Sequence, residues 1–172
     1  ICSINEGVFP VLASDPKISE YYENSRKKKN YYATFDPYVY SRADVIVVDI
    51  NLDVKKQPGA GKDANEYSVD LTPFKKAIES IGNNCKPDVL VLVETTVPPG
   101  TSEKVVKPLL KECLAKRGLP ADELKVAHSY ERVMPGPKYI DSIQNFYRVF
   151  AGTDEMSSVA VEKFLRTVIK TD

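Results

Sequence analysis

Net charge is missing from this chain: its 24 lysines and arginines are balanced by 24 aspartates and glutamates. No global field therefore favours nucleic acid or an anionic membrane surface. The basic run Arg26-Lys27-Lys28-Lys29 is local, and lysines at a helix end complement the negative end of its dipole without any phosphate. Long apolar runs are also missing, since none approaches the roughly 18 residues of a membrane span and nothing resembles a signal peptide. Cysteine is scarce: Cys2, Cys85 and Cys113 show no metal-ligand spacing and cannot all pair, which fits a reducing cytoplasm. Cys113 falls on or near the apolar face of a helical pattern and Cys85 closes another, so both read as small core residues. Internal repeats and low-complexity tracts are absent, and the chain opens on Ile1, as expected of a fragment.

What is present suits one soluble α/β domain. The 172 residues are 42% hydrophobic and 28% charged, enough for a sizeable core. Asp15-Pro16 predicts an N-cap with proline at the first helical position, opening a helix through Ile18, Tyr21 and Tyr22. A short strand over 31–34, a brief helical turn over 38–42 and a strand over 45–50 buried on both faces follow. Residues 54–69 are polar and read as a loop; Gly59 and Gly61 before Lys62-Asp63 do not make a phosphate-binding loop. A helix from Thr72-Pro73 to Asn83 carries Phe74, Ala77, Ile78 and Ile81 at helical spacing. After the run 89–93, Thr101 is the expected cap of a helix with an apolar stripe from Val105 to Leu114, kinked by Pro108 and stopped by Gly118. Strands over 125–128 and 147–151 and a helix capped by Thr153 or Asp154 complete the pattern. Strands alternating with helices at this spacing predict βαβ crossovers and a mainly parallel sheet.

The chemistry concentrates after the strand 89–93. Glu94-Thr95-Thr96-Val97-Pro98-Pro99-Gly100-Thr101 follows an unbroken apolar run. Open α/β sheets bind ligands beyond the carboxyl ends of their strands, so Glu94, Thr95 and Thr96 stand where a ligand is expected. Asn51 ends the preceding strand in the same way. The single histidine, His128, has a side chain suited to base work near neutrality. Alternation puts His128 and Tyr130 on one side of their strand and Ser129 and Glu131 on the other, which makes His128 a packed or capping residue.

Three segments in order carry a resemblance: Ile4 to Pro10, Ala43 to Val48, and Glu94 to Thr101, the last similar to a Ser-Thr-Val-Pro-x-Gly-Thr motif. Together they resemble the NAD-binding domain of the UDP-glucose and GDP-mannose dehydrogenase family over nearly the whole chain. Tyr130-Glu131-Arg132-Val133-Met134-Pro135-Gly136 resembles the Pro-Glu-Arg-Val-x-Pro-Gly signature of the branch acting on acetamido sugars. The resemblance implies a Rossmann-like sheet, NAD as cofactor and a UDP-sugar as substrate, with UDP-N-acetylmannosamine favoured. The implied reaction takes a primary alcohol to a carboxylate in two NAD-dependent steps through a thiohemiacetal and a thioester. By the same resemblance, Thr96 holds a catalytic water near the nicotinamide and Glu131 positions or deprotonates water for thioester hydrolysis. Asn51, Glu94, Thr95 and Thr96 are the implied cofactor contacts, and Glu131, Arg132 and Val133 the implied sugar contacts.

Three departures qualify the resemblance. No Gly-x-Gly-x-x-Gly occurs, so the seat of the cofactor pyrophosphate is missing. Asn51-Leu52-Asp53 replaces the family's Pro-Thr-Pro, and no cysteine here matches the nucleophile by motif. The chain is thus expected to be a partial NAD-binding domain over residues 1–172, truncated at the N-terminus and without the catalytic half, from a cytoplasmic enzyme of surface-polysaccharide synthesis. A homodimer, with no nucleic-acid or membrane partner, is also expected. Thr96 and Glu131 are expected to share a water, and the edge at 45–50 either to pair with 31–34 or to dimerise. Two other readings stand beside this one. One is a non-catalytic Rossmann-like nucleotide-binding module; the other, a different NAD-dependent reductase or decarboxylating dehydrogenase, does not account for the segment 131–136.

Overall fold

A computed structural model describes residues 1–9, 14–56 and 67–171; the glycines of the expected loop at 58–62, together with Pro10, lie outside them. The described elements run α1 (Cys2–Glu6), α2 (Pro16–Lys28), a 3-10 turn (Pro37–Arg42), β1 (Val45–Val48), β2 (Val54–Lys56), β3 (Tyr67–Val69) and α3 (Thr72–Gly82). They continue with β4 (Leu90–Val93), a π-helical turn (Ser102–Val106), α4 (Lys107–Lys116), β5 (Lys125–Ser129), α5 (Tyr139–Asn145), β6 (Phe150–Gly152) and α6 (Glu155–Leu165). They form two compact units: residues 37–130 with 149–163, and residues 1–36 with 131–148 and 164–172.

The first unit holds the sheet, in the order β1-β4-β5-β6. β1, β4 and β5 are parallel, with Val48 opposite Val93 and Val93 opposite His128. This is the expected Rossmann-like, mainly parallel arrangement. β6 runs antiparallel to β5 and is shorter than the expected strand over 147–151. The core gathers Ile46 and Val48 of β1, Val91 and Val93 of β4 and Val126 of β5 under Phe74, Ile78, Val106, Leu110 and Leu114 from the helices. β4 is buried on both faces, whereas β1 is not: Val47 remains 45% exposed. The two-faced burial expected of 45–50 is not found in β1, because β1 is the sheet's edge among the described residues. Residues expected to be one loop, 54–69, contain a two-stranded antiparallel pair in which Val54 faces Val69.

Gly82 lets α3 and α4 approach closely, since an added Cβ would sit 2.7 Å from the Cβ of Cys113. The α3 end is closed by Arg117, whose guanidinium donates to the carbonyls of Gly82 and Cys85 at 2.9 and 2.8 Å. Cys85 and Cys113 are buried free thiols whose pKa burial raises, as inert core residues should be. Pro108 cannot donate to a carbonyl four residues back, and the helix answers with the π-helical turn just before it, the Lys107 amide reaching the Ser102 carbonyl.

In the second unit, Asp15 caps α2 as expected: one carboxylate oxygen accepts from the Lys17 amide at 3.0 Å and the other from the Ile140 amide at 2.9 Å. The Tyr22 hydroxyl donates to the Ile4 carbonyl, and its ring meets Phe9 and Tyr31. The strand expected over 31–34 does not form. Instead the Asn5 side-chain amide donates to the Ala33 carbonyl and accepts from the Ala33 amide, both at 2.8 Å. A side chain occupies the ladder groups a neighbouring strand would use, so the expected pairing of 31–34 with 45–50 is also absent.

Asp154 ties α6 to the start of α4. It caps α6 through the Ser157 amide at 2.8 Å and pairs with Lys107, whose ammonium also reaches the Thr153 hydroxyl at 3.1 Å. The Lys107 hydrogen bond chiefly holds its carboxyl down, from 3.8 to about 2. A depressed carboxyl adds stability above its unfolded value and loses it as pH falls from about 4 toward about 2. With a third of the side chain exposed, screening leaves on the order of 1 kcal/mol. Asp154→Asn is expected to lower unfolding free energy by about that amount at pH 7 and to leave it unchanged near pH 2; urea denaturation at both pH values checks this.

Candidate functional site

The carboxyl ends of β1 and β4 part after Val48 and Val93. The Val48 carbonyl accepts from two successive amides, Glu94 at 2.9 Å and Thr95 at 3.1 Å. It also takes the Thr95 hydroxyl at 3.2 Å, while that hydroxyl oxygen accepts from the Ile50 amide at 2.8 Å. Thr95 is buried and Thr96 exposed. The pleat thus turns two adjacent threonines to opposite uses: one holds backbone, the other faces outward. Asn51, exposed beyond β1, donates from its amide to Asp53 at 3.4 Å. Glu94, directly before Thr95, is half-buried.

Pro98 to Thr101 then reverse the chain. The Thr101 amide donates to the Pro98 carbonyl at 3.1 Å, with Pro99 second and Gly100 third at φ +82°. That is the residue pattern of a type II turn, whose third position needs φ above zero and hence glycine. The Thr101 hydroxyl donates to the same carbonyl at 2.6 Å and is not the expected cap of the following helix. The helix N-terminus is set by this turn instead.

Beyond the ends of β4 and β5 lies a crevice of about 320 Å³, lined by Val97, Gly100, Glu103, His128, Tyr130 and Thr153 among others. His128 and Tyr130 share one side, as alternation predicts, their rings 5.2 Å apart at 82°. The His128 Nδ1 is buried without a partner among the described residues. Burial lowers its pKa, the Val93 carbonyl working against that. A half-buried imidazole kept neutral and packed on Tyr130 matches the packed role expected of it. Periodicity alone did not mark His128 and Tyr130 as crevice-lining; the one available signal was their shared side at a strand's carboxyl end.

Glu131, Arg132 and Val133 open a stretch of the second unit. Glu131 and Arg132 are exposed and Val133 half-buried. The Glu131 carboxylate accepts from the Val133 amide, closing a tight turn on itself. The Met134 amide donates to the Ser142 hydroxyl at 2.9 Å, and that hydroxyl donates to the Tyr139 carbonyl at 2.7 Å. The segment is therefore anchored at α5, with its acid free of the core.

The donor set around the β1 and β4 ends, exposed Thr96 and Asn51 beside parted strands, fits the polar amide and ribose end of a dinucleotide. No described strand leads through a glycine-rich turn into a helix that would seat its pyrophosphate. Among the described residues no helix is long and apolar enough to cross a membrane.

Residues 1–169 match the model of the UDP-glucose/GDP-mannose dehydrogenase family, NAD binding domain. The chain is 35% identical over 104 residues to the UDP-N-acetyl-D-mannosamine dehydrogenase of Methanocaldococcus jannaschii, which covers 60% of this chain and 22% of that protein. It is 33% identical over 101 residues to the enzyme of the same name from Pyrococcus horikoshii, covering 59% of this chain and 23% of that one. The solved NDP-N-acetyl-D-galactosaminuronic acid dehydrogenase of Methanosarcina mazei Go1 superposes on 99% of the chain and 34% of its own, with a TM-score of 0.82 at 28% identity. The chain therefore spans about a fifth of the curated relatives' length and a third of that structure. On a family match running from Ile1 to Ile169, the chain belongs to the UDP-glucose/GDP-mannose dehydrogenase family.

Proposed function

We propose that these residues form part of the NAD-binding domain of a nucleotide-sugar 6-dehydrogenase. Its substrate is a UDP-acetamido-hexose, UDP-N-acetylmannosamine before others, and its product the uronic acid. Per sugar, the C6 alcohol, one water and two NAD⁺ give a carboxylate, two NADH and three protons. The observation that carries this reading is the parted end of β1 and β4 with Thr96 exposed beside it, in a chain whose family and most similar relatives share that activity in name. Bound NAD supplies a hydride acceptor. Thr96 would stand near its nicotinamide, Asn51, Glu94 and Thr95 would belong to the cofactor contacts, and Thr95 fixes the backbone beneath Thr96. The Thr96 hydroxyl also orients water, and Glu131 acts on water as the base for thioester hydrolysis. Arg132 and Val133 contact the sugar nucleotide beside Glu131.

The nucleophilic thiol comes from outside these residues in this reading, because none of Cys2, Cys85 and Cys113 lies in a segment resembling the family's nucleophile motif, and Cys85 and Cys113 are buried. The product belongs to surface-polysaccharide synthesis and the enzyme to the cytoplasm. A non-redox nucleotide-binding module is the other reading; the Asn51 to Asp53 contact, where the family has Pro-Thr-Pro, favours it.

In the full-length protein, UDP-N-acetylmannosamine and NAD are expected to give two NADH per sugar. Glu131→Gln should slow thioester hydrolysis at least about tenfold more than the first hydride transfer. Nucleotide binding with no NADH would favour the non-redox module, and equal loss of both steps would remove the base role.

His128 is not the base. Its titration by NMR is expected to give a midpoint below the ordinary 6.5, so the unfolded chain binds the proton first and stability falls as pH drops through that range. A midpoint above 6.5 would return His128 to candidacy.

We further propose a homodimer for the protein. The 172-residue chain is expected to pair through the β1 edge, where Val47 is exposed. Sedimentation should show a dimer that Val47→Lys disperses; a monomer at every concentration overturns this.

A further inference from the structure

We propose that Thr95 is a positioning residue: its hydroxyl spans the gap where β1 and β4 part and so fixes the point from which Thr96 projects. This deepens the dehydrogenase reading and rests on it for its kinetic part.

A regular parallel ladder would carry Ile50 onto a backbone acceptor of β4. Instead both the Glu94 and Thr95 amides converge on the Val48 carbonyl, which leaves the Ile50 amide with no carbonyl opposite it. The Thr95 Oγ1 takes that place, accepting from Ile50 at 2.8 Å while donating to Val48 at 3.2 Å. A hydroxyl suits this position because its single oxygen can accept and donate at once. Its β-branched carbon leaves χ1 little freedom, and the side chain is buried, so the clasp is held in one geometry.

The consequence falls on the next residue. Thr96 is exposed and has no core contact of its own to define its place; its backbone is fixed on one side by the clasp and on the other by the Pro98–Thr101 turn. A hydroxyl that orients water for reaction has to be placed to within a fraction of an ångström, and misplacement by about 1 Å can cost on the order of 100-fold in rate. Thr95 therefore acts on the reaction through Thr96 and touches no reacting atom.

The test compares wild type, Thr95→Ser and Thr95→Val in the full-length protein. Thr95→Val keeps the shape and removes the hydroxyl; it is expected to lower kcat about 10- to 100-fold with the KM for the UDP-sugar within about threefold, the signature of an interaction expressed in the transition state. Thr95→Ser keeps the hydroxyl and is expected to return kcat to within about threefold of wild type. An undiminished kcat in Thr95→Val, or equal loss in both variants, overturns the proposal, the second by assigning the role to the methyl group.

Amide hydrogen exchange at Ile50 reads the clasp without any reaction. Protection is expected in wild type and Thr95→Ser, with exchange at least about tenfold faster in Thr95→Val. Unchanged exchange overturns the clasp, whereas a wild type that makes no NADH yet loses Ile50 protection in Thr95→Val overturns only the dehydrogenase reading. If Thr95→Val does not fold, the wild type decides: an Ile50 amide exchanging as freely as in an unstructured peptide refutes the proposal.

Discussion

Burial of β4 on both faces is the constraint from which the sheet unit follows. Leu90 to Val93 are all inaccessible, so their backbone amides and carbonyls have no water to turn to and must be paired on both edges. β1 and β5 meet that demand, both in parallel register. Parallel neighbours require crossovers, and the α3 and α4 connections supply them, each with an apolar face ending on the same core. With all three strands pointing one way, their carboxyl ends lie along one rim. The position of a ligand crevice is thus settled by a solvation requirement in the middle of the sheet.

The same logic explains how the surrounding elements are tied down. Charge pairs at the surface, such as Lys86 with Asp44 and Lys116 with Glu112, contribute little, because water and salt screen them. The polar contacts that matter satisfy backbone groups that packing would otherwise strand. Arg117 covers two carbonyls at the end of α3, the buried Ser157 hydroxyl oxygen accepts from the Val126 amide at 3.1 Å, and the Thr153 hydroxyl donates to the Val126 carbonyl at 3.0 Å. Each replaces a ladder or helix bond at a place where the regular element stops. Loss of the Arg117 or Ser157 contact leaves a buried backbone acceptor or donor without that partner, at about 1–3 kcal/mol, whereas the Val126 carbonyl keeps the Thr153 amide at 2.9 Å.

Much of this was legible in the sequence wherever the cause is local. Helical spacing of Phe74, Ile78 and Ile81 gave α3, and the Asp15-Pro16 pair gave the start of α2. An apolar run followed by hydroxyls, prolines and a glycine gave β4 and the rim beyond it. What escaped the sequence depends on partners far along the chain. Residues 31–34 have β-forming side chains, yet Asn5, 28 residues away from Ala33, takes the ladder groups. β1 stops at Val48, and the Ile50 amide beyond it finds a hydroxyl 45 residues away. The direction of β6 is fixed by its register against β5, which no local pattern encodes.

The candidate site shows the same division at the scale of one dipeptide. Thr95 and Thr96 are chemically identical, and composition and strand position alone do not tell them apart. The pleat separates them, since successive side chains in an extended segment point to opposite faces. The inward threonine meets an amide whose ladder partner has been diverted, and in a buried setting that pairing is worth more to the fold than an exposed contact would be. The outward threonine is left with a free hydroxyl at the rim. A doubled threonine at this point therefore takes two settings in sequence, the first buried in the clasp and the second exposed at the rim. The buried one comes first because Thr95, two residues beyond β4, still reaches the Val48 carbonyl and the Ile50 amide of the neighbouring chain segment.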